Sequence, residues 1–477
     1  MGSYQSFEGA SYPGWPLSID GKMLNVPRTR NFGGGAPNGA RTAYTGYNGE
    51  IHYDHKFIQD IKLSAKGKYS QSDLSDKSIY GYTPFGQIPG GIPPSGESYV
   101  NAGLRQTRVD TYAGELTLSK EFAFLGHKHE VLVGADHRNM TRNFALHYAY
   151  LPVGGPFVLD NVFNPRNTLH APPDSVLIAA SPPFATNVTL KQTGAFGQLI
   201  ARPLERLTIV AAGRHDSADS THLDKPTGVL TEQTKSAWTG RFGATFKVTS
   251  WMNVYGGIQQ SFLPQTLTST RDRQLLEPET GINYEIGAKW NFLNERLRIT
   301  TALFRTYRRN VATPDPSDLR FTIAVGEQRH QGVEFDVNGQ PIPGLNLNAN
   351  VTYLDAKVTE DTRPEFVGSY PTRIPQDYFG RVFATYQLQS GALKGFGFGG
   401  GVYFQGGYDL TVPNRIGTDS YQRVDAVVFY RGDTRYDVSV NIRNLLNETY
   451  IESPGNSNAF NGFGAPISAF GTLRVYF

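Results

Sequence analysis

The stretch that indicates the fold of this chain is Gly471-Thr472-Leu473-Arg474-Val475-Tyr476-Phe477. Every second residue from Leu473 to Phe477 is apolar, whereas the positions between them are polar or charged. A period of two residues is that of a β-strand with two different faces. The termini of soluble domains are usually polar and frayed. A strand of this kind at the end of the chain therefore predicts an outer-membrane β-barrel.

The same alternation recurs along the chain and predicts many more strands. The clearest example is a hairpin across the turn Asn294-Glu295-Arg296. The first strand of this hairpin has one apolar face, formed by Ile282, Tyr284, Ile286, Ala288, Trp290 and Phe292. Residues 345–353 and 436–442 alternate in the same way. Only alternate residues of each strand need to face lipid in a membrane barrel, so the pattern fits one.

Composition excludes several classes of protein. The 477 residues include no Cys and 12% aromatic residues, and the formal net charge is +3. A chain so rich in aromatic residues is not disordered, and a nearly balanced charge argues against a nucleic-acid-binding surface. No run of about 18 apolar residues is present, which excludes a membrane-spanning helix. The residues after Met1 lack the basic and apolar regions of a signal peptide.

Short and long connections alternate between the predicted strands. Tight turns are expected at 126–129, 294–296 and 341–344, and long loops at 83–103, 152–190 and 360–372. Outer-membrane barrels have short periplasmic turns and longer extracellular loops. The sequence therefore predicts an all-β fold, a transmembrane antiparallel β-barrel with about 17 strands beginning near Tyr44.

The odd number of strands leads to an expectation about the first residues. Single-chain bacterial barrels have an even number of strands, because both termini lie in the periplasm. Counting back from Phe477 makes the first predicted strand run towards the periplasm. Residues 1–42 are therefore expected to be an extracellular loop. Residues 43–477 are expected to be the strands and loops of a partial barrel that lacks its first strands.

Three segments carry a resemblance to a known family. Residues 276–311 contain Pro278-Glu279, Tyr284-Glu285-Ile286-Gly287 and Ala302-Leu303-Phe304 in the order and spacing of a hairpin of TonB-dependent outer-membrane receptors. Residues 331–353 resemble the next element of that pattern, and residues 441–450 resemble the penultimate strand and its ending. The chain is most similar to the ferric-siderophore group of these receptors, and the resemblance weakens towards the N-terminus.

The resemblance implies a larger barrel than this chain can form. The family barrel has 22 strands and a plug domain in its lumen. By this resemblance about five strands, the plug and the segment that contacts TonB are expected to be absent, since only about 17 strands are predicted. The terminal aromatic residue Phe477 is implied to be an assembly signal, read by the barrel-assembly machinery.

The resemblance also implies a function. It implies a receptor and transporter in the outer membrane of a Gram-negative bacterium, surrounded by outer-membrane lipids. Its transported ligand would be a ferric siderophore, and the TonB complex would energise the full-length form through the missing N-terminal part. No cofactor, nucleic acid or enzymatic activity is expected. Two alternatives remain open: TonB-dependent uptake of another cargo, such as cobalamin or an oligosaccharide, and a passive porin-like channel.

Aromatic residues in the predicted loops are the candidate ligand contacts. A ferric siderophore brings its own iron ligands, so its receptor needs aromatic faces with a few donors or charges, and no metal site of its own. The candidates are Tyr12, Trp15, Tyr99, Tyr148, Tyr150, Phe404 and Tyr408. By the resemblance, Tyr12 and Trp15 lie where siderophore receptors often place aromatic contacts. The alternative is that such aromatic residues form the girdle at the membrane interface.

Two other patterns fail on their context. Residues 395–400 match the spelling of a dinucleotide-binding loop, but they lie in a strand-like stretch and open no helix. His127 and His129 share a tight turn without a third residue at the spacing of a metal site.

Overall fold

The alternating segments form one antiparallel sheet in which successive strands pair with each other. The structure is a computed structural model. It describes residues 2–9, 41–57, 60–82, 97–150, 159–161, 170–180, 184–266, 270–272, 274–315, 318–410, 412–413, 417–432, 435–455 and 462–476.

The strands are numbered in chain order. The first nine are β1 (Gly2–Gly9), β2 (Arg41–Lys56), β3 (Ile61–Tyr82), β4 (Glu97–Phe124), β5 (His127–Tyr150), β6 (Leu159–Asn161), β7 (Phe184–Leu204), β8 (Leu207–Asp224) and β9 (Val229–Lys247). The next six are β10 (Met252–Leu263), β11 (Glu279–Phe292), β12 (Leu297–Asp315), β13 (Asp318–Gly339), β14 (Leu345–Glu360) and β15 (Asp377–Gln387). The last six are β16 (Phe396–Gln405), β17 (Tyr421–Tyr430), β18 (Tyr436–Arg443), β19 (Ile451–Ser453), β20 (Gly462–Phe463) and β21 (Ser468–Val475).

The sheet is a meander. Strands β1–β5, β7–β18 and β21 follow one another, the short strand β6 lies beside β4, and β19 pairs with β20 apart from the sheet. From β2 onward the meander has the 17 strands that the sequence predicts. Among the described residues no pairing joins β1 to β21.

Strand β1 departs from the prediction that residues 1–42 form a loop. It pairs antiparallel with residues 42–49 of β2, and the rings of Tyr4 and Tyr47 lie 5.1 Å apart. Tyr4 and Phe7 are separated by three positions, so their side chains lie on opposite faces and no alternation marks the strand. Strand β1 forms because its main chain pairs with that of β2. The local sequence does not reveal this pairing. Residues 10–40 lie outside the described part of the chain.

The connections at the two ends of the strands differ in length, as predicted. At one end, called the short-turn end, they are 57–60, 125–126, 205–206, 248–251, 293–296, 340–344, 388–395 and 431–435. At the other end, called the long-loop end, they include 83–96, 151–183, 264–278, 361–376, 406–420 and 444–467, with shorter connections at 225–228 and 316–317.

Several strands are longer than predicted at the long-loop end. Residues 97–103 and 184–190, expected to be loops, belong to β4 and β7. Strand β4 has 28 residues and β5 has 24, whereas about 9–11 residues suffice to cross a membrane. These hairpins therefore continue well past the length needed for crossing.

The two faces of the sheet differ in polarity. The outer face exposes large apolar side chains, as in the row Ile286, Leu303 and Val333 across β11–β13. The inner face carries polar and charged groups, such as Glu285 and Glu334 next to that row. An apolar outer face and a polar interior are what a membrane barrel requires.

One short helix packs on the sheet near the long-loop end. Helix α1 (Asp174–Ala180) places Leu177 against Ile79 and Leu104, and all three side chains are fully buried. Lys77 binds Asp174 at 2.8 Å and fixes the start of the helix. In the part of the chain that the structure describes, no helix has the length and apolar character needed to cross a membrane.

Candidate functional site

The inner face of β16 and β17 carries an aromatic and cationic row at the long-loop end. Tyr403 is paired with Arg423, and Gln405 is paired with Tyr421. Because paired residues of antiparallel strands project to the same face, these four side chains form one surface. Tyr421 also lies at the start of its strand, beside the long connection 406–420.

Three tyrosines stack along this row. The rings of Tyr403 and Tyr421 lie 6.1 Å apart and nearly parallel, and those of Tyr421 and Tyr450 lie 4.1 Å apart at 21°. Tyr421 and Tyr450 are buried, whereas Tyr403 is partly exposed. The stack therefore presents one open aromatic ring on a rigid base.

Arg423 places a charge beside the open ring. Its guanidinium carbon lies 5.1 Å from the centre of the Tyr403 ring, within the range of a cation–π contact. It donates two hydrogen bonds of 3.0 Å to Asp425 and one of 3.2 Å to the Tyr450 hydroxyl. Glu452 binds both Arg423 and Arg443. With these partners the guanidinium is held in one orientation.

Asn444 fixes the segment that follows β18. Its side-chain NH₂ donates to the carbonyls of Glu448 and Ala465 at 2.8 and 2.9 Å, and its Oδ1 accepts from the Glu448 N–H at 2.8 Å. Its own N–H donates to Asp425 at 2.9 Å, and its side chain is fully buried. We call residues 444–455 and 462–467 the cap segment. Asn444 ties this segment to the sheet beneath Tyr450.

A second packed group closes the long-loop end. Tyr408, Leu410 and Ile451 form a small buried core, and Phe463 packs against it. Within this group the Gln376 side-chain amide donates to Asp409 at 2.6 Å. Burial raises the pKa of the Asp409 carboxyl above its ordinary value, and the hydrogen bond from Gln376 opposes that rise. Burial likewise raises the pKa of the Tyr408 hydroxyl.

A cavity of about 360 Å³ lies on the inner face next to Tyr403. Its lining is mostly polar and consists of Glu334, Asp336, Asn350, Thr352, Phe379, Gly380, Arg381 and Tyr403. Two aromatic rings, one guanidinium and several hydrogen-bonding groups therefore meet at one concave surface, which is what binding of a polar ligand with a ring system requires.

A separate charged cluster lies on the inner face of β5, β7 and β8. Arg214 donates to both carboxylate oxygens of Asp136 and of Asp216, at 2.5–2.9 Å. Gln192 donates to Asp216 at 3.1 Å, and Phe196 lies 5.4 Å below the guanidinium. One guanidinium joins carboxylates on β5 and β8 across β7, so the cluster braces three strands.

The comparison with protein families identifies the fold. The family model described as "TonB dependent receptor-like, beta-barrel" matches residues 2–445. The chain belongs to this family. The fold class predicted from the sequence, a transmembrane antiparallel β-barrel, is therefore confirmed, as is its location in the outer membrane of a Gram-negative bacterium.

Two curated relatives cover nearly the whole chain. The ferric-pyoverdine M114 receptor PbuA of Pseudomonas sp. (strain M114) is 28% identical over 97% of this chain and 56% of its own length. The ferrichrome outer membrane transporter/phage receptor of Escherichia coli (strain K12) is 24% identical over 99% of this chain and 64% of its own length. The chain thus spans less than two thirds of either relative.

A solved structure supports the fold. The siderophore receptor PiuA from Acinetobacter baumannii superposes with a TM-score of 0.81 over 99% of this chain and 71% of that one, at 19% identity. At this identity the likeness concerns the fold alone.

The predicted contact residues lie in different parts of the structure. Tyr408 is buried in the small core described above, beside the long-loop end of β16. Tyr148 lies in β5 opposite Gly103 and is exposed. Phe404 is paired with Gly380 and lies 6.2 Å from Tyr378, on the outer face. Its ring points away from Tyr403, and the girdle at the membrane interface stays the alternative for this residue.

The other predicted residues are placed less fully. The main chain of Tyr99 in β4 pairs with Tyr82 and Leu159, and that of Tyr150 in β5 pairs with Asn101, where loops were expected. Tyr12, Trp15 and Phe477 lie outside the described residues. His129, weighed above as a metal ligand, instead bonds the Phe124 carbonyl and the Arg202 N–H with its two ring nitrogens.

Sequence reasoning missed the row Tyr403, Tyr421, Arg423 and Tyr450. Tyr450 ends the segment that resembles the family's penultimate strand, but nothing in the sequence places it against Tyr421. The available signal was the alternation of Tyr421, Arg423 and Asp425 along one face of β17.

Proposed function

We propose that this chain is part of an outer-membrane receptor for ferric siderophores that is energised by the TonB complex in its full-length form. The observation that carries the proposal is the inner-face row in which the Tyr403 ring, Arg423 and the adjacent polar cavity meet. Ferric siderophores combine an organic shell with polar and often charged groups, and such a surface suits them. The names of the relatives, which are receptors or transporters for ferric pyoverdine and ferrichrome, support the same ligand class.

The proposal assigns a binding role and no catalytic role. The two relatives are named as a receptor and as a transporter/phage receptor, and neither name is that of an enzyme. In the proposed mechanism the long-loop end captures the chelate and the inner-face row orients it. Ring stacking and a cation–π contact hold the organic shell, while Arg381 and the neighbouring polar groups of the cavity donate or accept hydrogen bonds.

A pair of adjacent substitutions tests the assignment. Tyr403→Ala removes the open ring of the inner-face row, whereas Phe404→Ala removes a ring of similar size from the outer face. The loss of one stacking contact should cost about 1 kcal/mol of binding free energy, which raises the dissociation constant roughly five- to tenfold. The protein purified from outer membranes is titrated with radioactive-iron complexes of pyoverdine, ferrichrome and ferrioxamine.

The outcome separates the proposal from its alternatives. Tight binding of at least one chelate, weakened by Tyr403→Ala and unaffected by Phe404→Ala, supports the assignment. Binding of labelled cobalamin or an oligosaccharide in place of every chelate would indicate another cargo. Ion conductance without saturable binding of any ligand would indicate a passive channel. Equal effects of the two substitutions would contradict the proposal that Tyr403 contacts the ligand.

A further inference from the structure

The cavity beside Tyr403 has a floor of short polar side chains and an acidic wall. Asn350 and Thr352 of β14 form the floor. On the β13 side of the floor, Asp336 is paired with Asn350, and Glu334 is paired with Thr352. Because paired residues of antiparallel strands project to the same face, both carboxylates stand beside the floor. We call Glu334 and Asp336 the acidic wall.

The opposite wall of the cavity carries two rings and a guanidinium. On the β15 side of the floor, Arg381 is paired with Asn350, and Phe379 is paired with Thr352. Tyr403 of β16 is in turn paired with Arg381. We call Phe379, Arg381 and Tyr403 the ring wall. Adjacent strands of a sheet lie about 4.8 Å apart, so the main chains of β13 and β15 are separated by about 10 Å across β14.

The carboxylates of the acidic wall are accessible and lack a cation of their own. Glu334 and Asp336 are both exposed. Among the residues that the structure describes, neither of them forms an ion pair, and the same holds for Arg381. The lining of the cavity contains these two carboxylates and this single guanidinium. The cavity therefore has an excess of negative charge.

Other acids of the inner face are compensated by cations of the chain. Asp425 accepts two hydrogen bonds from Arg423, and Glu452 forms an ion pair with the same guanidinium. In the cluster on β5, β7 and β8, one guanidinium serves two carboxylates. Arg423 is thus already neutralised by its own partners and does not cancel the charge of the acidic wall. That charge remains open to a cation from outside the chain.

We propose that the acidic wall binds a primary ammonium group on a side arm of the ferric siderophore, while the ring wall contacts the shell around the iron. This inference rests on the receptor function proposed above and specifies the charge of its ligand. A primary alkylamine is protonated at neutral pH, and its three N–H donors can form charge-assisted hydrogen bonds with Glu334 and Asp336. Arg381 donates to the oxygens around the iron, and Tyr403 packs against the organic shell. An anionic chelate would instead be repelled by two carboxylates.

A matched pair of chelates tests this assignment. Ferrioxamine B carries one primary ammonium group beside a neutral iron shell, and acetylation of the amine removes the charge without changing the iron ligands. The protein is purified from outer membranes in detergent and titrated with both complexes, labelled with radioactive iron. The parent complex should bind at least about tenfold more tightly than the acetylated one, because only the parent forms charge-assisted hydrogen bonds with the acidic wall.

Substitutions locate the effect in the cavity. Glu334→Gln/Asp336→Asn keeps the shape of the acidic wall but removes its charge, so it should weaken binding of the parent complex about 10- to 30-fold. The affinity for the acetylated complex should stay the same, and the two complexes should then bind nearly equally. The control Glu121→Gln/Glu130→Gln removes two carboxylates that are paired with each other on β4 and β5, outside the cavity. This control should change neither affinity.

Folding is verified independently for each variant. Heat-modifiable electrophoretic mobility shows whether the barrel is intact, and the affinity for ferrichrome, a neutral chelate without an ammonium group, should be unaffected by Glu334→Gln/Asp336→Asn. If the double variant fails to fold, Asp336→Asn alone provides the test, with a loss of about threefold or more for the parent complex only. The comparison of the two ferrioxamine complexes on the unmodified protein does not depend on any variant.

The outcomes separate this inference from the receptor function itself. If the unmodified protein binds both ferrioxamine complexes equally, or if the control weakens the parent complex as much as the double variant does, the role of the acidic wall is overturned and the receptor function stands. Tighter binding of an anionic tris-catecholate complex than of ferrioxamine B also overturns it. If no ferric chelate binds, the receptor function fails, and this inference fails with it.

Discussion

Replacing Asn444 should release the cap segment from the barrel. In Asn444→Ala, three side-chain hydrogen bonds to the main chain of Glu448 and Ala465 disappear. Each lost bond costs about 1 kcal/mol. Asn444 also has φ of 55°, a left-handed conformation that costs alanine about 1 kcal/mol more. The free energy of opening of the cap segment should therefore fall by about 4 kcal/mol.

Two matched variants divide this loss into its causes. Asn444→Gly removes the same bonds without the backbone penalty, so its effect should be about 3 kcal/mol. Asn447 has nearly the same φ, 54°, but is exposed and accepts from the Ile467 N–H at 3.1 Å. Asn447→Ala should therefore cost about 2 kcal/mol or less, because water replaces its bond.

Hydrogen exchange measures the effect directly. The protein in detergent is digested after labelling, and peptides covering residues 445–455 and 462–467 are compared with peptides from β8. At about 1.4 kcal/mol for each factor of ten, Asn444→Ala should accelerate exchange of the cap segment by two to three orders of magnitude, up to the limit set by the residual protection. The reasoning is refuted if Asn444→Ala and Asn447→Ala act equally, or if exchange in β8 accelerates as much as in the cap.

Two further outcomes are expected. Arg214→Leu leaves the carboxylates of Asp136 and the buried Asp216 without their cation, and it should destabilise the barrel by about 3 kcal/mol. The temperature at which heat-modifiable electrophoretic mobility is lost should therefore fall. The triple variant Arg214→Leu/Asp136→Asn/Asp216→Asn should regain most of the lost stability. Because the pKa of Asp409 is raised in the folded protein, the packing around it is more stable below the ordinary value of 3.8 and loses stability as the pH rises through the raised pKa. Asp409→Asn should therefore protect residues 406–413 from proteolysis at neutral pH and remove the pH dependence; unchanged protection would contradict the burial argument.

Much of the fold was predictable because alternation is a local property. The hairpin around Asn294 follows from the apolar residues of β11, and its strands Glu279–Phe292 and Leu297–Asp315 lie where the pattern places them. Strand β1 was not predictable, since Tyr4 and Phe7 do not alternate and only pairing with β2 orders them. A local sequence pattern identifies a strand that has one apolar and one polar face. It does not identify a strand that only pairing with a neighbouring strand stabilises.

The candidate site was harder to predict because its parts come from distant segments. Tyr403, Tyr421 and Tyr450 meet only through the register of β16 with β17 and the fold of the cap segment. Register depends on hydrogen bonds between strands, which one sequence does not display. For the same reason Phe404, selected as a loop aromatic, lies on the outer face while its neighbour Tyr403 lies on the inner one.

The opposite orientation of Tyr403 and Phe404 has a consequence for how such a receptor can evolve. A deletion of one residue within β16 would turn every later side chain of the strand over, moving the tyrosine into lipid and the phenylalanine into the interior. Changes of chain length should therefore be tolerated only beyond Gln405, where the strand ends. New ligand preferences can then arise by substitution on the strand or by insertion in the loop, and the two routes do not interfere.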